Sequence, residues 1–410
     1  MKRLFSLLLA CMILFLTACN GTPPNNSQSQ DSELKDTIIM DKFNWFIETP
    51  SRILFSKSVV FGYTYYYSKV DGKAYLYCFD PVCDHSGGKC LANPWDKGET
   101  IPEFPFHCTY FINNRFYTAT VYGQIYSFAF DGSDLKIEYG PTSFTQEELN
   151  TQQFNWSPQF GVYDKYIYIL MNADENGNPR TLRFNTETKE MEDLTEKAGN
   201  AIFVYFFYNE EIYGLNAKLR TWIKADLELK KMEPIEALPI SMHFFGSVFY
   251  NTAYDDPTDY KNIKTIGIQA HDMKTGKTVI FSKEMLGVST GYNYSVMAVD
   301  KNYIYFTQNT ETSTLVGTIT GSNGTVRKVY TWDTGKLYRM KHDGTECTLI
   351  YDNPNFEFPS EALISGDKII LEGNEFSFKD GNVVYNECMK VGTIGPDGKI
   401  EKFENIELVY

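Results

Sequence analysis

CTYFINNRFYTATVYGQIYSFAFDGSDLKIEY, residues 108–139, holds the pattern that decides the fold. An apolar-aromatic strand, a short turn, a second strand with alternating Tyr or Phe, an Asp-Gly turn and a third strand follow one another. Alternation with period two, punctuated by turn residues, is the mark of half-buried antiparallel strands. The same unit recurs at 63–81, 162–194, 204–235, 243–282, 296–351 and 362–403, which makes seven copies. Aromatic residues, 16% of the chain and mostly Tyr and Phe, suit such pleated surfaces.

The turn after the third strand of each copy is expected near Asp80, Asp131, Thr186, Asp226, Asp272, Asp343 and Asp397. Most of the steps between them lie near the ~40–50 residues of a four-stranded propeller blade. The long step from Asp272 to Asp343 demands an insertion, and QNTETSTLVGTITGSNGTVRKVYTW at 308–332 supplies it. Asn323-Gly324 between alternating strands is a hairpin signal, so a long hairpin should protrude from the sixth blade. The expected fold is all-β: a single β-propeller of seven blades, with six or eight as alternatives.

FDGSDLKIEY (130–139) and LYRMKHDGTECTLIY (337–351) resemble the outer-strand hairpins of TolB-like propellers. AHDMKTGKTVIF (270–281) resembles the Asp-x-x-Thr-Gly-Lys repeat of quinoprotein-like propellers, but Phe281 stands near where that repeat carries Trp. These motifs imply an architecture and no reaction, and the missing Trp speaks against a quinone cofactor.

The N-terminus assigns an address. Lys2 and Arg3 precede an apolar run from Leu4 to Leu16, which ends in Leu16-Thr17-Ala18-Cys19. A charged start, a short apolar run and small residues before the cut make an export signal, and the run is shorter than the ~20 residues of a spanning helix. The pattern resembles the bacterial lipoprotein signal, which implies a diacylglycerol on Cys19 as the mature N-terminus. Residues 1–18 then form the signal peptide, 19–36 a lipidated tether of Asn, Ser, Gln and Pro too polar to fold, and 37–410 the propeller. The expected location is the extracytoplasmic face of the cell membrane, held there by lipid.

The net charge is −14, and losing Lys2 and Arg3 with the signal makes the mature chain more acidic still. Phosphate-backbone binding needs clustered cations, whereas basic runs such as Lys230-Lys231 stop at two residues. Nucleic acid is therefore not an expected partner.

Six cysteines remain once Cys11 leaves with the signal and Cys19 is lipidated. Cys78, Cys83, Cys90 and Cys108 crowd together, with His85 among them. Phe79 to Val82 read as a turn that brings Cys78 and Cys83 together across a hairpin. Two disulfides are the leading expectation in an oxidising compartment. The alternative is a structural zinc held by Cys78, Cys83, His85 and Cys90, with Cys108 or His107 able to substitute. Such a closed site would leave no open position for catalysis, and no other cofactor is expected. Cys347 and Cys388, in neighbouring blades, are a candidate second disulfide. The stretch Cys78-x4-Cys83-x-His85-x4-Cys90 also resembles a signature of exported propeller lipoproteins of Firmicutes.

Other motifs carry less. Gly287-Val288-Ser289-Thr290-Gly291 matches a hydrolase nucleophile elbow, but the strand-to-helix context is missing. Asp174, Asn176 and Asn178 match the start of a calcium loop, yet Pro179 and Asn185 stand where Gly and Glu are needed. His243, His271 and His342 read as structural, and Trp156, Trp222 and Trp332 as core or as sugar-stacking rim residues.

The functional expectation is a non-enzymatic surface lipoprotein that binds a protein or glycan ligand. The alternatives are a glycan-active enzyme with paired carboxylates at the channel and an envelope-assembly or sensor scaffold. At the cysteine cluster, mass spectrometry of the non-reduced protein should find Cys78, Cys83, Cys90 and Cys108 without free thiols, and His85→Ala should change stability little. Stoichiometric zinc with free thiols after anaerobic purification would decide for the metal.

Overall fold

The structure is a computed structural model. It describes residues 37–39, 46–55, 65–78, 82–83, 109–113, 115–119, 124–129, 133–140, 156–171, 178–241, 243–255, 265–286, 292–320, 326–353, 356–358, 362–379 and 382–409. The signal, the tether, His85, Cys90, Cys108, the 287–291 motif, Asp174 and Asn176 lie outside these residues.

The chain is a seven-bladed β-propeller. Blade one is β1 (Phe46–Glu48), β2 (Arg52–Phe55), β3 (Tyr65–Ser68) and β4 (Ala74–Leu76). Blade two is β5 (Thr109–Ile112), β6 (Arg115–Ala119), β7 (Ile125–Phe128) and β8 (Lys136–Tyr139). Blade three is β9 (Trp156–Tyr163), β10 (Tyr166–Met171), β11 (Arg180–Asn185) and β12 (Met191–Asp193), followed by the single turn of α1 (Thr195–Ala198). Blade four is β13 (Ile202–Tyr208), β14 (Glu211–Asn216), β15 (Trp222–Asp226) and β16 (Met232–Pro234). Blade five is β17 (His243–Phe245), β18 (Val248–Tyr254), β19 (Thr265–Asp272) and β20 (Lys277–Ser282). Blade six is β21 (Tyr292–Val299), β22 (Tyr303–Thr320), β23 (Val326–Lys341) and β24 (Thr348–Asp352). After the short β25 (Phe356–Glu357), blade seven is β26 (Ala362–Ser365), β27 (Lys368–Lys379), β28 (Asn382–Ile394) and β29 (Ile400–Asn405), and β30 (Leu408–Val409) ends the chain.

Each of the seven predicted copies falls on one blade, and the predicted turns from Asp131 onward fall between third and fourth strands. The first does not. β3 and β4 meet through the turn at 69–72, and Asp80 lies beyond β4, outside the described residues. The turn expected between Cys78 and Cys83 falls largely on residues 79–81, outside the described residues.

Because strands alternate, every blade has two apolar faces, and among the described residues the core divides into seven clusters, one at each joint of the ring. Tyr77, Phe116 and Phe128 join blades one and two, and Ile125, Val162 and Phe184 join two and three. Tyr168, Leu194 and Phe207 join three and four, and Phe206, Tyr213 and Phe249 join four and five. Tyr250, Phe281, Tyr294 and Phe306 join five and six, and Tyr305, Phe356, Ile369 and Phe403 join six and seven. At the last joint, Ile370 and Met389 of blade seven meet Ile53, Tyr65 and Tyr67 of blade one, with Ile406 between them. β30 then runs parallel to β4 as a fifth strand, with Leu408 beside Ala74 and Val409 beside Tyr75.

The predicted hairpin is present as the projecting parts of β22 and β23. A second long hairpin, β27–β28, extends from blade seven, and Thr318 beside Asn382 links the two. At the centre, Ile39 forms an antiparallel bridge with Phe207 on the free edge of β13. Ile38 beside it is 1% exposed among Phe206, Tyr208 and Phe249.

Ile406, 5% exposed at the closing joint, tests the ring. Ile406→Ala should lower stability by about 2–5 kcal/mol, the cost of truncating a buried aliphatic side chain, read from urea unfolding. A loss below about 1 kcal/mol would show that the last joint adds little.

Candidate functional site

A groove of about 590 Å³ opens at the outer end of blade three. Tyr139 of blade two and Met191 line it on one side; Tyr166, Arg183 and Glu192 line it on the side toward blade four, with Asn185, Lys189 and Glu190 of the β11–β12 turn between. Strand alternation explains the division. Phe184 turns into the joint with blade two, whereas Arg183, one residue back, is paired with Tyr168 and faces blade four. The turn itself is tied by Asn185, whose side-chain oxygen accepts from the backbone N–H groups of Glu187 and Thr188 at 2.9 and 3.2 Å.

Arg183 organises the site. It is 6% exposed, and its Nη2 donates to Glu192 Oε2 at 2.6 Å. Its Nη1 donates to Glu228 Oε1 at 2.7 Å and to the Leu227 carbonyl at 3.1 Å. The guanidinium also stacks on the Tyr166 ring, 4.5 Å from the centroid, a contact suited to its planar charge. Burial alone would favour loss of its proton, but the bonds to Glu228, Tyr168 and Glu192 hold the charge more firmly still. Lys197 donates to Glu192, and that bond, with Arg183 behind it, keeps the Glu192 carboxyl below the usual glutamate range. Glu228 is lowered likewise, chiefly by Arg183. Tyr168, pushed up to about 12 by burial, donates to the Leu227 carbonyl at 3.1 Å.

Toward blade two, Lys189 pairs with Glu138 at 3.1 Å and lies over the Tyr117 ring, 5.3 Å from its centroid. Arg115 pairs with Asp134 at 2.8 Å and donates to Ser127 Oγ. The basic groups around the groove are thus already matched by carboxylates. What the groove offers a ligand is the Tyr139 ring, 37% exposed, with the charge-compensated Arg183, Lys189 and Glu192 and the Glu190 carboxylate, which accepts from Thr188 Oγ1 at 3.2 Å, at its edges. That chemistry suits a neutral ligand with hydroxyls and an apolar face. It does not suit general acid catalysis by Glu192, because two cations stabilise its ionised form.

The other predicted residues are dispersed. Cys78 and Cys83 are half-buried and pack against the same joint between blades seven and one. Cys347 carries a free thiol that faces the Leu286 carbonyl at 3.6 Å, and burial pushes it up to about 11. Cys388 sits on β28 opposite Gly373. Among the described residues there is no disulfide, and no three His, Cys, Asp or Glu side chains are grouped to share a metal. The histidines link elements, as read from the sequence. His342 joins the Tyr250 hydroxyl at 2.7 Å and the Asp300 carbonyl at 2.9 Å, and His271 meets Thr278 Oγ1 at 2.9 Å. Trp222 packs on Tyr205 inside blade four, with ring centroids 4.9 Å apart. The sequence reading passed over Tyr139, Tyr166 and Arg183, whose only signal is their place in strand alternation.

No protein-family profile and no curated protein matches the chain. Among solved structures, a prolyl endopeptidase shares 11% identity over 72% of this chain and 42% of its own, with a TM-score of 0.39. This chain therefore spans less than half of that enzyme's length. A computationally designed protein shares 10% identity over 86% of this chain and 96% of its own, with a TM-score of 0.37. The propeller domain of the trilobed protease from Pyrococcus furiosus shares 12% over 74% and 83%, with a TM-score of 0.36. These likenesses bear on no activity, and the propeller assignment rests on the sheets of this chain.

Arg183→Lys keeps a charge but removes the planar fork and the stack on Tyr166. It should cost about 1–3 kcal/mol of stability in denaturant unfolding. The gap should narrow as pH falls below the ordinary glutamate range. There the folded protein loses the stabilisation it draws from keeping Glu192 and Glu228 ionised below their unfolded pKa values.

Proposed function

We propose that the protein is a lipid-anchored, extracytoplasmic propeller that binds a glycan without transforming it, at the groove of blade three. The observation that carries the reading is the groove itself: an exposed Tyr139 ring beside a network in which Arg183 and Lys197 balance Glu192 and Glu228. A sugar presents an apolar face to a ring and hydroxyls to fixed donors and acceptors, and uncompensated charge would select against it. The anchor is supported by Leu16-Thr17-Ala18-Cys19 behind a basic start and an apolar run. A protein partner on the blade-six hairpin is the second reading. Leu315 and Val326 are 50% and 61% exposed there, and the hairpin register puts them on one face.

A glycan array probed with the propeller, residues 36–410, tests the first reading. Neutral oligosaccharides should be retained unaltered, and Tyr139→Ala should weaken binding about tenfold, the loss of one ring–sugar contact, with the thermal midpoint unchanged. Cleavage of the glycan would support an enzyme instead. Binding that ignores Tyr139→Ala but falls with Leu315→Asp would move the site to the hairpin.

A further inference from the structure

In an antiparallel four-stranded blade, successive turns alternate between the two faces of the ring. The turn from first to second strand and the turn from third to fourth share one face, and the turn from second to third lies on the other. The first strands lie nearest the axis, where β9 meets β13 and β17 meets β21.

The N-terminal segment is placed with respect to these faces by backbone bonds. Ile39 and Phe207 exchange both N–H···O bonds at 2.9 Å, and the Ile38 N–H donates to the Gly246 carbonyl at 2.8 Å. Gly246 lies in the first turn of blade five, between β17 and β18. The Ile39–Phe207 bridge is antiparallel, so stepping back from Ile39 toward Thr37 runs along β13 toward Tyr208 and the Asn209–Glu210 turn. At Thr37 the backbone is therefore directed toward the face that carries the first and third turns. The two long hairpins leave through the opposite face, because Thr320–Val326 and Lys379–Asn382 are second turns. β21 stops pairing at Thr310, so the β22–β23 hairpin, measured along β23 from Asp333 to Val326, continues for about 24 Å beyond it.

From these polarities we infer that the docked Ile38–Ile39 segment fixes how the propeller stands on the membrane: the face with the Asn209–Glu210 turn is proximal to the bilayer, and the linked β22–β23 and β27–β28 hairpins are displayed away from it. The inference rests on the lipid anchor at Cys19. Eighteen residues of the composition of 19–36 would have a root-mean-square reach of about 25 Å as a coil, and a lipid joined to Thr37 by so short a length favours the pose in which the face toward Thr37 is nearer the bilayer. The Asn185–Glu190 turn, a third turn, then opens the blade-three groove on the proximal side, and Leu315 and Val326 face the surroundings of the cell.

The test uses the full-length lipidated protein on phosphatidylethanolamine–phosphatidylglycerol vesicles that carry a headgroup energy acceptor. A fluorescent unnatural amino acid replaces either Lys301, exposed in the first turn of blade six, or Lys328, exposed on the hairpin beside Thr318. These positions lie about 45 Å apart along the hairpin, counted on β23 from Lys341 to Lys328. Transfer should be several-fold more efficient from position 301 than from 328. Ile38→Asp should bring the two values together while the strand signal in circular dichroism persists. Equal or reversed efficiencies in the wild type, or an Ile38→Asp protein with the ratio unchanged, would overturn the orientation alone. A protein that does not stay on the vesicles, or a Cys19→Ala variant retained as well as the wild type, would overturn the anchor and the inference with it.

Discussion

Every blade buries one face against the blade before it and the other against the blade after it, so no blade is complete unless the ring closes. The aromatic side chains carry this constraint. Phe206 meets Phe249 edge to face across blades four and five, with centroids 5.0 Å apart. Tyr351 meets Phe403 at 4.8 Å across six and seven, and Tyr77 meets Phe116 at 6.4 Å across one and two. Such pairs add about 0.5–1.5 kcal/mol each beyond the apolar area they bury. The closing joint depends on residues from both ends of the propeller, Ile53 and Tyr67 with Ile370, Met389 and Ile406. It needs the whole chain in place before it can form.

Turn chemistry serves the same packing. Gly344 follows Asp343 with φ of 82°, a conformation that side chains other than glycine's resist. A Cβ there would also lie 2.5 Å from the Phe281 ring of blade five. The Asp-Gly-Thr motif of blade six is thus both a turn and a socket for its neighbour's aromatic ring. Phe281 fills that socket.

The groove on blade three is built from the same alternation. Successive residues of β11 go to different joints, and where the outer strands end, the inward-turned Arg183 is reached from Glu192 on its own blade and Glu228 on the next. Its charge is balanced before any ligand arrives. The hairpins of blades six and seven follow the opposite plan: they leave the packed ring and present Leu315 and Val326 to solvent. One scaffold therefore carries a polar groove and a projecting arm on which Leu315 and Val326 are exposed.

The sequence by itself determined the strands, the seven copies, the turns from Asp131 to Asp397 and the hairpin at 308–332. Period-two alternation and Asp-Gly or Asn-Gly turns are local properties, written within a few residues of where they act. The turn of the first repeat was misplaced because Asp80-Pro81 carries turn residues beyond the end of β4, while the turn between β3 and β4 lies at 69–72. Of the groove, only the strands were legible, with Tyr166 and Tyr168 visible as alternating aromatics. Arg183 and Glu228 stand 45 residues apart, and nothing local marks them as partners. Tertiary structure alone decided that pair, the docking of Ile39 on Phe207, the link from Thr318 to Asn382 and the closing strand beside Ala74. Each joins distant segments through backbone groups or charges that any sequence could offer, and only the closed ring brings them within reach.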